Sequence, residues 1–331
     1  MRKGHTVKTL IAIPTFRKEP RFREFFQSLI ANTSFVGLDL QILVVDGCLW
    51  YGRLEREYAL EIARVGCFLP VHHIPPEPSI WQGPSRKTAE DCWDASTPRN
   101  TALRFAAHRN FDYVFFLDDS MTLTKDWLKV ARPYVEMGVP VGGPYQSTHD
   151  DGRTSGAADH RMVEMPRGGL CPWGWLYTCV LGVPLQAALA IDGFDRLYAG
   201  QHGCEDCDFA IRLGRHLGPT AKSFFEPGLM VNQLTARHDK PASPKTLHSS
   251  KNRVMAGDRV AFANEYLIEK LRAESTRTLP LVPNGLRDPT WAHVTDWRDG
   301  APLDDLWKFT EGRGTPAEQE CVKRLAGVIN T

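Results

Sequence analysis

A run of apolar and aromatic residues that ends in two adjacent aspartates places the strongest constraint on how this chain can fold. Residues 113–117 read YVFFL, and Asp118, Asp119 and Ser120 follow them directly. A continuous apolar run of this length predicts a strand that is covered on both faces. Carboxylates at its end need a cation or water to compensate their charge. The segment predicts either a ligand-binding pair at a sheet edge or a pair that caps the next helix.

Strand-like and helix-like segments alternate through the first half of the chain. The predicted strands are 9–14, 40–45, 68–74 and 113–117, and the predicted helices are 21–31, 52–65, 98–108 and 125–136. This alternation predicts an α/β fold with a mostly parallel, Rossmann-like sheet flanked by helices. Right-handed crossovers then bring the strand ends at Thr15, Asp46 and Asp118 to one edge of the sheet.

The second half of the chain is less regular. Residues 139–165 are rich in Gly, Asp, His and Ser, which predicts a hairpin or a loop. A strand is predicted at 176–181, followed by a helix that Gly182-Val183-Pro184 opens, and a further helix at 206–216. Beyond residue 240, a Pro/Lys/Ser-rich linker is followed by helix-like segments. The end of the chain is therefore predicted to be helical.

Composition narrows the classes of protein to which the chain can belong. Of its 331 residues, 42% are hydrophobic and 24% are charged, as in a globular enzyme with a large core. The 40 basic and 39 acidic residues leave a net charge of +1, which weighs against binding long nucleic acid. Eight irregularly spaced cysteines and the lack of a long apolar run predict a cytoplasmic protein without a transmembrane segment.

Five short segments, taken in order, resemble glycosyltransferase family 2. They are residues 11–16 (IAIPTF), 44–47 (VVDG), 99–103 (RNTAL), 116–119 (FLDD) and 203–208 (GCEDCD). Enzymes of that family have the GT-A fold and move a sugar from a nucleotide-diphospho sugar to an acceptor hydroxyl. The resemblance covers about residues 9–238 and implies the same fold and activity here.

The resemblance also implies how the chain is divided. Residues 1–240 are expected to form a GT-A domain, with a nucleotide-sugar half at about 1–140 and an acceptor half at about 141–240. Beyond the resemblance, the helix-like segments of the sequence predict a helical C-terminal extension at residues 241–331.

The donor site implied by the resemblance begins with the nucleoside. In the family, the loop after the first strand and the aspartate after the second hold it, which maps to Pro14, Thr15 and Asp46. A carboxylate at Asp46 suits the imide N–H of uracil, although Asp46 can also be part of a simple turn. Arg99 is expected near a helix start, where a guanidinium and backbone N–H groups suit phosphate. The alternative is a surface cation.

Asp118 and Asp119 resemble the D-x-D segment that holds a divalent metal, Mn²⁺ or Mg²⁺, on the donor diphosphate. The ion makes the diphosphate a better leaving group. The resemblance implies that Asp119 is a metal ligand and that Asp118 shares the ion or contacts the ribose. The third position of the segment is Ser120 instead of aspartate. His238 stands where related enzymes supply a further metal ligand, and a surface histidine is the alternative.

Glu205 and Asp206 resemble the pair that supplies the catalytic base in inverting members of the family. Asp206 is expected to take the proton of the acceptor hydroxyl, with a helix dipole that keeps it ionised, and Glu205 to hold the acceptor. A helix-capping role is the alternative. Trp173 and Trp175 are expected to form an acceptor subsite because indole rings stack on sugar faces. Here the alternative is packing in the core.

These features predict a metal-dependent, inverting glycosyltransferase that uses a nucleotide-diphospho sugar, most often a UDP-sugar, with a saccharide or another hydroxyl-bearing acceptor. Two other interpretations remain open. One is transfer to a hydroxylated DNA base, with residues 240–297 as a platform for modified nucleic acid. The other is a catalytically inactive nucleotide-sugar or carbohydrate-binding protein, which Ser120 alone favours.

Overall fold

The computed structural model describes residues 6–15, 20–32, 38–47, 69–77, 95–148, 153–154, 159–195, 198 and 205–234. The predicted helix at 52–65, His238 and the predicted extension at 241–331 lie outside these described residues. Among the described helices, none is both long and apolar enough to cross a bilayer.

Helices and strands alternate along the first part of the described residues, as the sequence predicts. The helices are α1 (Phe22–Ala31), α2 (Ser96–His108), α3 (Trp127–Met137), α4 (His160–Glu164), α5 (Leu185–Ala190) and α6 (Glu205–Leu217). The strands are β1 (Lys8–Thr15), β2 (Asp39–Asp46), β3 (Val71–Ile74), β4 (Tyr113–Leu117), β5 (Met121–Leu123), β6 (Val141–Gly142), β7 (Tyr145–Thr148), β8 (Gly169–Leu170), β9 (Val180–Pro184), β10 (Phe224–Phe225) and β11 (Val231–Leu234).

The strands form a large sheet and a small one. In the described residues, the large sheet has the order β3-β2-β1-β4-β9-β6-β10-β8 and the small sheet the order β5-β11-β7. Strands β3, β2, β1 and β4 are mutually parallel. Strand β9 runs antiparallel between β4 and β6. This confirms the predicted fold class, α/β with a mostly parallel sheet flanked by helices.

Both faces of the large sheet are buried, which explains the continuous apolar runs in β1 and β4. Ile11 and Phe115 belong to a core cluster that includes residues of α1 and α3. Leu10 and Phe116 belong to a second cluster with residues of α2, α5 and α6. Because successive side chains of a strand point to opposite faces, a strand between two helical layers needs apolar residues at every position.

Helix α1 shows how the local sequence sets one of these layers. Its buried residues recur with helical spacing, at Phe22, Phe25, Phe26 and Leu29. The residue after the helix, Asn32, donates from its side-chain amide to the carbonyl of Ser28 at 2.9 Å. The Oδ1 atom of Asn32 accepts the backbone N–H of Trp127 at 2.7 Å. Asn32 thus joins the end of α1 to the start of α3.

The predicted strand at 176–181 is largely wrong, because β9 begins only at Val180 and continues to Pro184. Before it, the backbone N–H of Leu176 bonds the carbonyl of Trp173 at 3.1 Å, and that of Val180 bonds the carbonyl of Tyr177 at 3.2 Å. These are turn bonds, and they replace the ladder bonds of a strand. The helix expected next is present as α5, which begins after Pro184.

The carboxyl ends of the parallel strands meet at one edge of the sheet, as predicted. Thr15 at the end of β1 is paired with Asp46 at the end of β2. Strand β4 is in register with β1, so that Asp118 and Asp119 follow at the same edge. Since β9 runs in the opposite direction, it starts here, and Leu117 pairs with Val180. The residues that precede β9 therefore reach the same edge.

Candidate active site

Asp118 and Asp119 lie at this edge in two different environments. Asp119 is 7% exposed, and its Oδ2 atom accepts the hydroxyl of Thr15 at 2.6 Å. The Asp118 side chain is 35% exposed. The chain continues into β5 after the pair, so neither aspartate caps the next helix. Of the two interpretations of this pair, the helix cap is therefore wrong, and a carboxylate pair at a sheet edge remains.

Arg99 is buried in the first turn of α2, between the sheet edge and α6. Its Nη1 atom donates to Glu205 Oε1 at 2.8 Å, and its Nη2 atom lies 3.8 Å from Asp118 Oδ1. Burial opposes the charge of the guanidinium, but Glu205, Asp118 and Asp206 outweigh it and raise the pKa of Arg99. The alternative of a surface cation is therefore excluded.

The start of α2 also carries buried polar atoms that the sequence did not draw attention to. Neither the Nε atom of Arg99 nor the Oγ atom of Ser96 has a hydrogen-bond partner in the structure as described. Residues three apart share a face of a helix, and no side chain caps this helix start. An unsatisfied buried donor costs about 1–3 kcal/mol. Backbone N–H groups at a helix start can also bind an anion.

Asp206 lies in the first turn of α6, beside Glu205. Its carboxylate accepts the backbone N–H groups of Cys207, at 2.8 Å, and of Thr178. Burial and the charge of Glu205 raise the pKa of Asp206 to about 6, against the opposite effect of Arg99 and the two N–H groups. The helix dipole was expected to keep Asp206 ionised, and burial outweighs it. A carboxyl group that titrates near neutral pH suits a general base.

Asp46 is completely buried at the end of β2. Its Oδ2 atom lies 2.8 Å from the Nε2 atom of His73 on the neighbouring strand β3. Because an ionised carboxylate only accepts, His73 is the donor when Asp46 carries its charge. The sequence did not point to His73, since the pairing depends on the register of two strands. Pro14, the residue before Thr15 in the predicted nucleoside segment, is half-buried in β1.

The two tryptophans of the WGW segment have different surroundings. Residues Trp173–Trp175 form a 3-10 turn. The Trp173 ring lies on Gly214 of α6, where an added Cβ would come within 2.5 Å of the ring carbons, and it packs against the second core cluster. Trp175 is half-buried, and its ring centroid lies 5.6 Å from that of His160. Trp173 thus anchors the turn to α6, whereas Trp175 faces a different neighbour.

Most of the predicted donor-site and catalytic residues lie close together, and Asp46 is linked to them through strand pairing. Thr15, Asp119, Asp118, Arg99, Glu205 and Asp206 gather where the sheet edge meets the start of α6. Asp46 is joined to Thr15 through the pairing of their strands.

The carboxylates at the sheet edge fit a hard divalent cation in their donor chemistry. Within the described part of the chain, no three His, Cys, Asp or Glu side chains form a metal-binding group. Mg²⁺ is commonly held by one or two carboxylates together with substrate phosphates and water, and not by a protein cage. Asp118 and Asp119 offer the two carboxylates that such an arrangement requires.

Comparison with known proteins identifies distant structural neighbours. No protein-family model matches the chain, and no curated protein matches it in sequence. A crystal structure of residues 1–349 of S. aureus TarS is 16% identical, with a TM-score of 0.45, over 67% of this chain and 60% of that one. A crystal structure of S. aureus TarS is 15% identical, with a TM-score of 0.46, over 81% of this chain and 44% of that one. A crystal structure of residues 1–349 of S. aureus TarS in complex with UDP is 15% identical, with a TM-score of 0.46, over 81% of this chain and 72% of that one.

Proposed function

We propose that this protein is a metal-dependent, inverting glycosyltransferase that uses a nucleotide-diphospho sugar. The observation that carries the proposal is the position of the Arg99 guanidinium, 2.8 Å from Glu205 and 3.8 Å from Asp118. The carboxylates expected to hold the leaving group and those expected to activate the acceptor thus lie on two sides of one cation. A sugar between them would be close to both.

On the donor side, Asp119 and Asp118 would hold Mn²⁺ or Mg²⁺, with His238 as a further predicted ligand. When bound, the ion supplies Lewis-acid stabilisation to the departing diphosphate. The Thr15 hydroxyl fixes the orientation of the Asp119 carboxylate through its 2.6 Å hydrogen bond. Arg99, through Nε, and the start of α2 would donate hydrogen bonds to phosphate oxygens, which removes the cost of their unsatisfied donors.

At the nucleoside end, Pro14, Thr15 and Asp46 would contact the base and ribose. Asp46 lies 2.8 Å from His73, so its carboxylate has a fixed orientation at the end of β2. A carboxylate accepts from the imide N–H of uracil but not from cytosine, which has an acceptor at that position. Guanine also carries a ring N–H donor, so this bond excludes cytidine but not guanosine. Following the family resemblance, a uridine diphosphate sugar is the proposed donor.

Asp206 would take the proton of the acceptor hydroxyl while the hydroxyl oxygen attacks the anomeric carbon. One carbon–oxygen bond forms, the bond from that carbon to the diphosphate breaks, and the leaving group departs with the electron pair. Attack opposite the leaving group inverts the configuration. The raised pKa of Asp206, about 6, keeps the carboxylate basic enough to accept the proton and ionised above that pH. Glu205, which Arg99 holds in place, would bind the acceptor.

Neither of the other two interpretations gains support from a specific observation. Residues 240–297, the predicted nucleic-acid platform, lie outside the described residues. Ser120, the one feature that favoured an inactive protein, is buried, and its carbonyl accepts the N–H of Leu234 at 2.8 Å. Its backbone therefore contributes to pairing in the small sheet.

The proposed donor can be tested by thermal denaturation with UDP, CDP, GDP and ADP, each with and without Mn²⁺. We expect UDP with Mn²⁺ to stabilise the protein most, by about 2.7 kcal/mol at a hundredfold excess over Kd. Asp118→Asn should weaken the effect of Mn²⁺. Asp126→Asn should not, because Asp126 is exposed at the start of α3. Failure of all four nucleotides to stabilise the wild-type protein would contradict the proposal.

A further inference from the structure

Three aromatic rings form a surface beside Asp206, the candidate base. They are the rings of His160, Trp175 and Tyr177. Only one of the three, Trp175, was predicted from the sequence as a site residue. The centroid of His160 lies 5.6 Å from that of Trp175, at an interplanar angle of 80°, and 6.1 Å from that of Tyr177. Trp175 and Tyr177 are half-buried, and the His160 side chain is 53% exposed. The aromatic surface is thus partly open to solvent.

A completely buried arginine supports this surface from behind. Arg161 donates from Nη1 to the carbonyl of Trp175 at 2.6 Å and from Nη2 to the carbonyl of Gly143 at 2.9 Å. Its guanidinium also bonds both carboxylate oxygens of Asp159, at distances down to 2.6 Å. The guanidinium carbon lies 4.3 Å from the ring centroid of Tyr177. A buried ion pair of this kind is stable only with complete hydrogen bonding, so the backbone of Trp175 is firmly held.

The same segment is tied to the helix that carries Asp206. The backbone N–H of Thr178, the residue after Tyr177, donates to the Asp206 carboxylate. The thiol of Cys207 donates to the carbonyl of Gly174 at 3.6 Å. Trp173 packs on α6 at Gly214. The aromatic surface therefore has a fixed position relative to Asp206.

Building on the proposed function, we propose that the aromatic surface binds the apolar face of a neutral saccharide ring and presents one of its hydroxyls to Asp206. The exposed parts of the half-buried indole and phenol rings match the C–H face of a pyranose, and their polar edges can remain hydrated. The acceptor class is therefore a saccharide, and His160 and Tyr177 are acceptor-binding residues together with Trp175.

Charge favours a neutral sugar over a nucleic acid at this surface. The described cation in contact with the rings, Arg161, is buried and paired with Asp159, so it cannot neutralise a phosphate. Asp206 and Glu205 add negative charge nearby. Binding of nucleic acid depends on neutralising phosphates with exposed Lys and Arg, and a base stacked here would bring its phosphates toward carboxylates.

Saturation-transfer difference NMR of the full chain tests the proposal, with methyl β-D-glucopyranoside, methyl α-D-mannopyranoside and methyl N-acetyl-β-D-glucosaminide as probes. We expect at least one glycoside to receive saturation at its ring C–H protons. Trp175→Ala and Tyr177→Ala should reduce that signal at least fivefold, and His160→Ala should reduce it less. Tyr177→Phe, which keeps the ring, should retain it. His216→Ala is the matched control because His216 is exposed at the other end of α6.

Each outcome separates this proposal from the donor proposal. Circular dichroism and melting curves of the variants establish that the fold is intact, and His160→Ala changes a side chain that is 53% exposed. The saccharide proposal is overturned if no glycoside gives a wild-type signal, if both alanine variants keep the signal, or if oligo(dT) alone receives saturation. Stabilisation by UDP with Mn²⁺ reports on the donor site independently and should be unchanged in all of these variants.

Discussion

Two buried arginines in different helices, Arg99 in α2 and Arg212 in α6, are held in different ways. Arg212 donates from Nε to Asp208, from Nη1 to the carbonyl of Ile191 and from Nη2 to that of Gly193, each at 2.7 Å. Arg99 makes one short bond, to Glu205. Its Nη2 atom is 3.8 Å from Asp118, and its Nε has no hydrogen-bond partner in the described structure.

We propose that this difference separates a region that maintains the fold, around Arg212, from a ligand-binding region around Arg99. Around Arg212, the Nε, Nη1 and Nη2 donors are all paired. Buried polar groups normally find partners, so an exception needs an explanation. Around Arg99, the unpaired Nε donor and the nearby carboxylates suit a ligand that carries both anionic oxygens and hydroxyls.

The largest effect is expected from Asp206→Asn, which tests whether the Arg99 region is catalytic. The amide cannot take a proton, so transfer should fall about a thousandfold or more. Nucleotide binding should change less than about twofold, since Asp206 is assigned to the acceptor side and to no donor contact. Single-turnover assays with a UDP-sugar and isothermal titration with UDP measure the two quantities. Wild-type turnover in this variant would show that Asp206 is not the base.

Arg212→Lys comes next and addresses the structural region. A lysine cannot reach Asp208 and both carbonyls together, so we expect a loss of about 2–4 kcal/mol in the free energy of unfolding from the unsatisfied carbonyls. Urea denaturation measures it. Activity per folded molecule should stay near the wild-type value. Ordinary surface substitutions change the free energy of unfolding by about 0.5 kcal/mol or less. A change this small in Arg212→Lys would show that Arg212 has no structural role.

Arg99→Lys is the matched change in the proposed ligand-binding region, where we expect a small loss of stability and a large loss of activity. The charge is kept, so Glu205 remains compensated and the free energy of unfolding should change by less than about 1 kcal/mol. The forked geometry between Glu205 and Asp118 is lost, and transfer should fall about tenfold to a hundredfold. Parallel urea and activity measurements on the two lysine variants compare the regions directly. If Arg99→Lys and Arg212→Lys lowered the free energy of unfolding equally, the two regions would not differ in the way proposed.

The smallest expected effect is the dependence of kcat/KM and of thermal stability on pH. With a pKa of about 6 for Asp206, kcat/KM should fall tenfold per pH unit below that value, because the base becomes protonated. The pKa is raised on folding, so the folded state favours the protonated form, and that stabilisation is lost as pH rises through 6. Asp206→Asn should therefore melt higher than wild type at pH 8 and show a smaller difference at pH 5. Identical melting curves at pH 8 would contradict the raised pKa.

Much of the fold could be predicted because its elements carry strong local patterns. The apolar runs of β1, β2 and β4 and the helical spacing in α1 correspond to the observed elements within two residues. The direction of β9 could not be read from the sequence, because a five-residue strand has the same pattern whichever way it runs. Its start was misplaced because the polar groups of the preceding residues bond within a turn.

The candidate site was predictable only where residue order carries information. The order of the segments pointed to Asp118, Asp119, Arg99, Glu205 and Asp206, which lie close together in the structure. His73 and Ser96 were missed because their significance depends on strand register and on burial. Trp173 and Trp175 look equivalent in sequence. They differ because Gly214 leaves room for one ring and not because of anything in the segment itself.

The antiparallel strand β9 has a consequence for how the polypeptide acquires its shape during synthesis. Strand β4 remains an open edge until Val180 has been made, because Leu117 pairs with Val180 across a long stretch of chain. Pairings of such high contact order form slowly, since loop closure must precede them. A nascent or truncated chain that stops before β9 should therefore expose an apolar edge, aggregate readily and depend on chaperones.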